Sequence, residues 1–113
     1  MRLPNRDKAY IPLSKLTAYL LSETHAVGRS KARFFRAIGF NEANVVMLEQ
    51  SLLTIARSGA VVEVGQSPYG TKYIIDGGLA TPNGVPAEVR TVWIVEVDDV
   101  RPRFVTAYPA SRT

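Results

Sequence analysis

The apolar periodicity of this chain changes once, near Gly59, and that change constrains its fold more than any other feature. Before it, apolar residues recur at helical spacing; after it, short β-prone runs alternate with turn signals. Ala9-Tyr-Ile11 reads as a short extended piece, and Ser14 as the N-cap of a helix carrying Leu16, Tyr19, Leu20 and Leu21. Ser22 to Val27 forms a connector containing His25. A second helix covers Val27 to Ile38 and stops at Gly39. Asn41 caps a third helix that runs to about Ser58, with Val45, Leu48, Leu52, Ile55 and Ala56 along its apolar stripe.

The second half reads as an antiparallel meander. Ala60 to Val64 forms one strand, and Ser67-Pro-Tyr-Gly70 a turn. Thr71 to Asp76 is a second strand, expected to end at Gly77-Gly78, and Thr81-Pro-Asn-Gly84 is another turn. Ala87 to Val97 is the longest strand; Asp98-Asp99 leads to a last strand, Arg103 to Tyr108. The expected fold is α+β: three N-terminal helices packed on a four-stranded antiparallel sheet in two layers. A chain of 113 residues is one domain, 1–113. Its helical part spans about 13–58 and its sheet about 60–108, with a flexible tail at 109–113.

Composition narrows the function classes. Folding this length buries roughly 65% of the extended surface. With 46% hydrophobic residues the chain forms a core without staples. No apolar run approaches a membrane span, and the first residues lack a signal-peptide pattern, so a cytoplasmic protein with no membrane partner is expected. One histidine and no cysteine argue against a zinc site, and no cofactor or metal is expected. A Walker loop, a dinucleotide fingerprint and a nucleophile elbow are all absent. The net charge of +4 tilts the chain toward an acidic partner.

Lys31 is the residue that most asks for a reason. On the second helix it shares a stripe with Phe34, Phe35 and Ile38, while Arg29, Arg33 and Arg36 fall on the opposite, solvated side. A buried ammonium is costly without a partner. Two readings stay open: the side chain snorkels past the core edge, or it lines a cleft that receives an anion. The helix start near Gly28, with Arg29 alongside, has the ingredients of a phosphate site.

On the long strand Thr91 and Trp93 share one face, with Arg90, Val92 and Ile94 on the other. On the last strand strict alternation puts Phe104, Thr106 and Tyr108 together. Thr91, Trp93, Thr106 and Tyr108 then form either one polar-aromatic patch or ordinary core. Lys72, amid Tyr69 and Tyr73, suits RNA stacking and phosphate contact as well as a plain amphipathic strand.

Taken together, His25-x-x-Gly28-x-x-Lys31-Ala-x-Phe34-Phe35, Tyr69-Gly-x-Lys-Tyr73, Arg90-Thr-Val-Trp93 and Pro102-Arg-x-Val-Thr-Ala-Tyr-Pro109 resemble a bacterial domain family of unknown function. Similar modules stand at the C-termini of polymorphic and contact-dependent toxins. More distantly, the arrangement is similar to the ribonuclease superfamily of barnase, EndoU, colicins and RelE, in its colicin-D-like branch. The matching candidates there are His25 with Lys31, and Thr91 with Trp93. Ala26 departs from that pattern, standing where a proline commonly follows the histidine. The chain also starts at its own Met with no delivery region, which favours a stand-alone protein.

What the resemblance implies is metal-independent RNA cleavage of toxin type, by attack of the ribose 2′-OH to leave a 2′,3′-cyclic phosphate. His25 is then the general acid or base, and Lys31 steadies the phosphorane charge. Thr91 or Thr106 hydrogen-bonds a phosphate oxygen. Arg29, Lys72, Arg90, Trp93 and Tyr108 are the expected substrate-binding residues. The expected partners are RNA, tRNA among the candidates, and a cognate antitoxin or immunity protein. With no helix-turn-helix, DNA is not expected. The alternatives are a non-catalytic antitoxin- or immunity-type protein binder and an RNA-binding module without chemistry.

Overall fold

The computed structural model of the protein describes residues 1–24 and 29–110. Arg6–Lys8 form a 3-10 turn, which the sequence pattern did not suggest. Helix α1 (Leu13–Lys15) runs on into a π turn, Leu16–Leu20, closed by the Leu21 amide donating to the Leu16 carbonyl at 2.9 Å. Pro12, not Ser14, stands at its N-cap. The Pro12 carbonyl accepts from Lys15 N–H at 2.9 Å, so the first turn closes one residue pair earlier than expected.

Helix α2 (Arg29–Ala37) ends as expected at Gly39. That glycine has φ of 107°, a left-handed conformation, and the Phe40 amide then reaches back to the Phe35 carbonyl at 3.0 Å. Asn41 follows as a reciprocal cap. Its side chain accepts from Ala43 N–H at 2.8 Å and its own N–H donates to Asn44 Oδ1 at 2.8 Å. A 3-10 turn (Glu42–Asn44) leads into α3 (Val45–Ser58).

Four antiparallel strands follow in the order β1-β2-β3-β4: β1 (Val61–Ser67), β2 (Gly70–Leu79), β3 (Ala87–Glu96) and β4 (Arg103–Pro109). The α+β class, the three helices and the four-stranded antiparallel sheet are those expected from the periodicity. Two boundaries differ. Gly77 and Gly78 lie inside β2 and do not end it, because Ile55 of α3 sits over Gly77 so closely that a Cβ there would come within 3.1 Å of its Cγ2. Pro109 belongs to β4, paired with Val89, and Ala110 N–H donates to the Glu88 carbonyl, so neither is a loose tail. Among the described residues no helix is long and apolar enough to cross a membrane.

The core lies between the helices and one face of the sheet. Leu16, Leu20, Leu21, Phe35, Leu48, Leu52, Ile75, Trp93 and Phe104 are fully buried there. Trp93 meets Phe104 edge-on, with ring centroids 5.2 Å apart. Its indole N–H donates to Thr91 Oγ1 at 2.8 Å, and Thr91 passes its own hydroxyl proton to the Ile75 carbonyl at 2.8 Å. Two buried polar groups and one spare carbonyl lone pair are thereby satisfied inside the sheet.

The β3–β4 register slips beside this pair. Val92 faces Thr106 while Trp93 faces Phe104, leaving Val105 as an extra residue in a bulge. Strict alternation is broken there, so Phe104 turns to the core while Thr106 and Tyr108 stand in register with Val92 and Arg90. At the start of β4 the N-terminal segment covers the sheet edge: Tyr10 N–H donates to the Pro102 carbonyl and Phe104 N–H to the Tyr10 carbonyl, each at 3.0 Å.

Thr91→Val keeps the side-chain shape but strands the Trp93 N–H. Urea denaturation should show it less stable by about 1–3 kcal/mol, with Thr91→Ser near wild type. A valine variant as stable as wild type would show that the buried bond is dispensable.

Candidate anion-binding cleft

Lys31 leaves α2 half-buried, beside Ser30 and Phe34 and opposite the end of β4. With Tyr108 and Pro109 these residues line an open cavity of about 500 Å3. The Lys31 ammonium lies 6.0 Å from the centroid of the Tyr108 ring and 5.7 Å from that of Tyr19. Lys15 approaches the same Tyr19 ring, at 5.0 Å. All three are cation–π contacts, in which the negative ring face attracts the ammonium. The two cations share one ring, so they sit within about one Debye length of each other at ~0.1 M salt. Among the described residues neither has a carboxylate at ion-pair distance. Two like charges so placed repel, and an anion between them relieves the repulsion.

Tyr19 also ties the cleft to the sheet. Its phenol and the Thr106 hydroxyl are 3.0 Å apart, a part-buried hydrogen bond in which either oxygen donates. The group that results is Lys15, Tyr19, Lys31, Thr106 and Tyr108: two ammoniums, three hydroxyls, of which those of Tyr19 and Thr106 are bonded to each other, and two aromatic rings. Lys15 and Tyr19 were not singled out from the sequence. The signal was there in their i, i+4 spacing, which puts a cation next to an aromatic ring on one helix face, but Tyr19 reads equally well as part of the apolar stripe.

Of the residues expected at a site, the structure brings Lys31, Thr106 and Tyr108 together. His25 lies outside the described residues. Thr91 and Trp93 are both fully buried and bonded to each other in the core, so neither reaches a ligand in the cleft; the bulge separates them from Thr106 and Tyr108. Arg90 is held by Asp76 through two bonds, Nε–Oδ1 at 2.8 Å and Nη2–Oδ2 at 2.9 Å, and that bidentate pairing raises its pKa above the ordinary arginine value. Its charge is already matched. Lys72 stands on β2, opposite Ile94 and in line with Arg103, away from the Tyr108 end of the sheet. Arg29 lines a separate groove on α2 with Glu23, Arg33 and Arg36.

Arg36 departs from the solvated face expected of it. Its Nη2 donates to the Leu21 carbonyl and to Glu42 Oε2, both at 2.6 Å, and its Nε lies 3.2 Å from a Glu23 carboxylate oxygen. The side chain thus fastens α2 to the end of the π turn that carries Tyr19 and to the 3-10 turn that precedes α3. The hydrogen bond to Glu42 raises the Arg36 pKa, and the same bond lowers that of Glu42.

The chain belongs to the DUF6883 family, a domain of unknown function, whose model matches residues 2–111. No curated protein matches. Among solved structures the chain is similar to one from a contact-dependent growth inhibition toxin–immunity protein complex of Klebsiella pneumoniae 342. The TM-score is 0.72 at 16% identity, covering 95% of this chain and 97% of that one. At that identity the likeness is one of fold.

Glu42→Gln tests the tether. Because the folded-state pKa of Glu42 is depressed, its contribution is full above the ordinary carboxylate value of ~4.3 and disappears as pH falls below it. Thermal melts should show the variant less stable than wild type at pH 7, with the gap closing in acid. A gap independent of pH would mean that the ion pair is not its source.

Proposed function

We propose that this chain is a toxin-type endoribonuclease that cuts RNA without a metal ion, its scissile phosphate held at the cleft that Lys31 and Tyr108 line, with Lys15 close by on the Tyr19 ring. The observation that carries the reading is the convergence of two ammoniums on the Tyr19 ring, with the Thr106 hydroxyl bonded to its phenol. Support comes from the shared fold with a chain of a toxin–immunity complex. In the reaction the ribose 2′-oxygen attacks phosphorus and the P–O5′ bond breaks, leaving a 2′,3′-cyclic phosphate and a 5′-hydroxyl. A base takes the 2′-OH proton and an acid gives one to the leaving oxygen. His25 is assigned to this proton transfer from the sequence motif.

Lys31 and Lys15 steady the charge that grows on the non-bridging oxygens. They are already placed, so little reorganisation opposes the reaction. The Thr106–Tyr19 pair offers one further hydroxyl proton to the same oxygens, since the other is used between them. Tyr108, half-exposed across the cavity, offers a face on which a flanking base stacks, a contact worth about 1–3 kcal/mol. A cognate immunity protein is the expected partner, since a free ribonuclease harms the cell that makes it.

The second reading is an immunity-type protein with no chemistry, favoured by the same fold match, because the matched complex holds both kinds of chain. The two readings separate on total cellular RNA in EDTA. The ribonuclease predicts cleavage products ending in cyclic phosphate, with Lys31→Gln slower by roughly 10²–10³-fold and the circular dichroism spectrum unchanged. Intact RNA at high wild-type concentration, or a Lys31→Gln variant as fast as wild type, overturns it. Cleavage that EDTA abolishes overturns the metal-free mechanism.

A further inference from the structure

The two edges of the sheet are treated differently. The edge at β4 is covered at its start by the Tyr10 segment, which exchanges backbone hydrogen bonds with Pro102 and Phe104. The edge at β1 is covered only as far as Val61, whose N–H donates to the Met1 carbonyl at 2.8 Å, with Arg2 bridging Ala60. Beyond it Val62 to Gln66 are all exposed, and Val62 and Val64 keep 53% and 45% of their surface in solvent.

The direction of the free backbone groups follows from the hairpin. It closes on the pair Ser67–Gly70, and hydrogen-bonded pairs alternate with non-bonded ones along an antiparallel ladder. Gly65–Lys72 and Glu63–Ile74 are therefore bonded pairs. The N–H and C=O groups of Val64 and Gln66 point away from β2. Among the described residues no backbone group meets them. Natural sheets blunt such an edge with charged side chains, proline or a bulge, and β1 has a bulge between Val61 and Glu63 at its start. Beyond that bulge and Glu63, Val64-Gly-Gln66 has no charged residue and no proline.

We infer that β1 pairs with β1 of a second copy of this chain, antiparallel about a two-fold axis at Gly65, to make one continuous eight-stranded sheet. The edge is complementary to itself. About that axis Val64 faces Gln66 of the other copy and Gln66 faces its Val64, so all four outward N–H groups find outward carbonyls. Glu63 falls opposite a serine, not opposite the other Glu63. At the axis two glycines meet, and a Cβ built on Gly65 has nothing within 4 Å. A closed, isologous pair of this kind uses up the β1 edge of both copies. The interface lies on the opposite edge of the sheet from Tyr108 and Lys31, so it is independent of the reading proposed for the cleft.

Sedimentation equilibrium should give a species of twice the 12.4 kDa chain mass at micromolar concentration. Gln66→Pro removes an N–H that serves only the outer edge and should sediment as a monomer, with the thermal melt of its folded chain retained. In the proposed register Gly65 faces its own copy as a non-bonded pair, whose short Cα separation suits a disulfide. Oxidised Gly65→Cys should therefore run as a covalent dimer, in a chain with no other cysteine. A wild-type chain that stays monomeric, a Gln66→Pro variant that stays dimeric, or a Gly65→Cys dimer that fails to cross-link overturns the inference.

Discussion

The hydrogen bond from the Trp93 indole to Thr91, relayed to the Ile75 carbonyl, is the contact on which the rest of this sheet depends. Trp93 is the largest side chain that is fully buried, and an indole N–H left unpaired there would cost more than the bond itself returns. The only acceptor it uses is two residues away on the same strand. That choice fixes Thr91 and Trp93 toward the helices and presses Phe104 against the ring. β4 meets both demands only by inserting Val105, and the bulge is the result.

The bulge has a functional consequence. It sends Phe104 inward while Thr106 and Tyr108 keep the register of Val92 and Arg90. Those two side chains are then met by Tyr19 and Lys31, from the two helical segments nearest β4. Arg36 holds these segments together through Leu21 and Glu42. Core packing, strand register and helix tether thus converge on one place, and neither cation that arrives there has a carboxylate at ion-pair distance among the described residues. Three arginines of the sheet and its β3–β4 connection are by contrast matched: Arg90 by Asp76, Arg103 by Glu96, Arg101 by Asp99.

Much of the fold was legible in the sequence because it is written in local terms. The change of period at Gly59, the left-handed Gly39 and the Asn41 cap each act within a few residues. The misplaced features are those set by distant partners. Gly77 looks like a strand end until Ile55 is packed over it. Arg36 looks solvated until the Leu21 carbonyl and Glu42 are brought to it. The Thr91-x-Trp93 pair looks like half of a surface patch because alternation says nothing of a bulge one strand away. Lys31 could be singled out, since a cation on an apolar stripe is anomalous within its own helix. Its neighbours Lys15 and Tyr19 show only an i, i+4 spacing in the sequence, and it is the π turn and β4 that bring them to it.

The central claim is that the Lys15–Tyr19–Lys31 group holds phosphate. It is tested most directly by the salt dependence of binding to a 2′-deoxy-blocked oligonucleotide, read by fluorescence anisotropy. Losing two phosphate contacts should flatten the log–log slope by roughly 1.4 for a single strand. The account predicts that flattening for Lys15→Gln with Lys31→Gln, and a clearly smaller one for Lys8→Gln with Lys72→Gln, which removes the same charge elsewhere. Equal slopes for the two double variants would show that only net charge matters, and would contradict it.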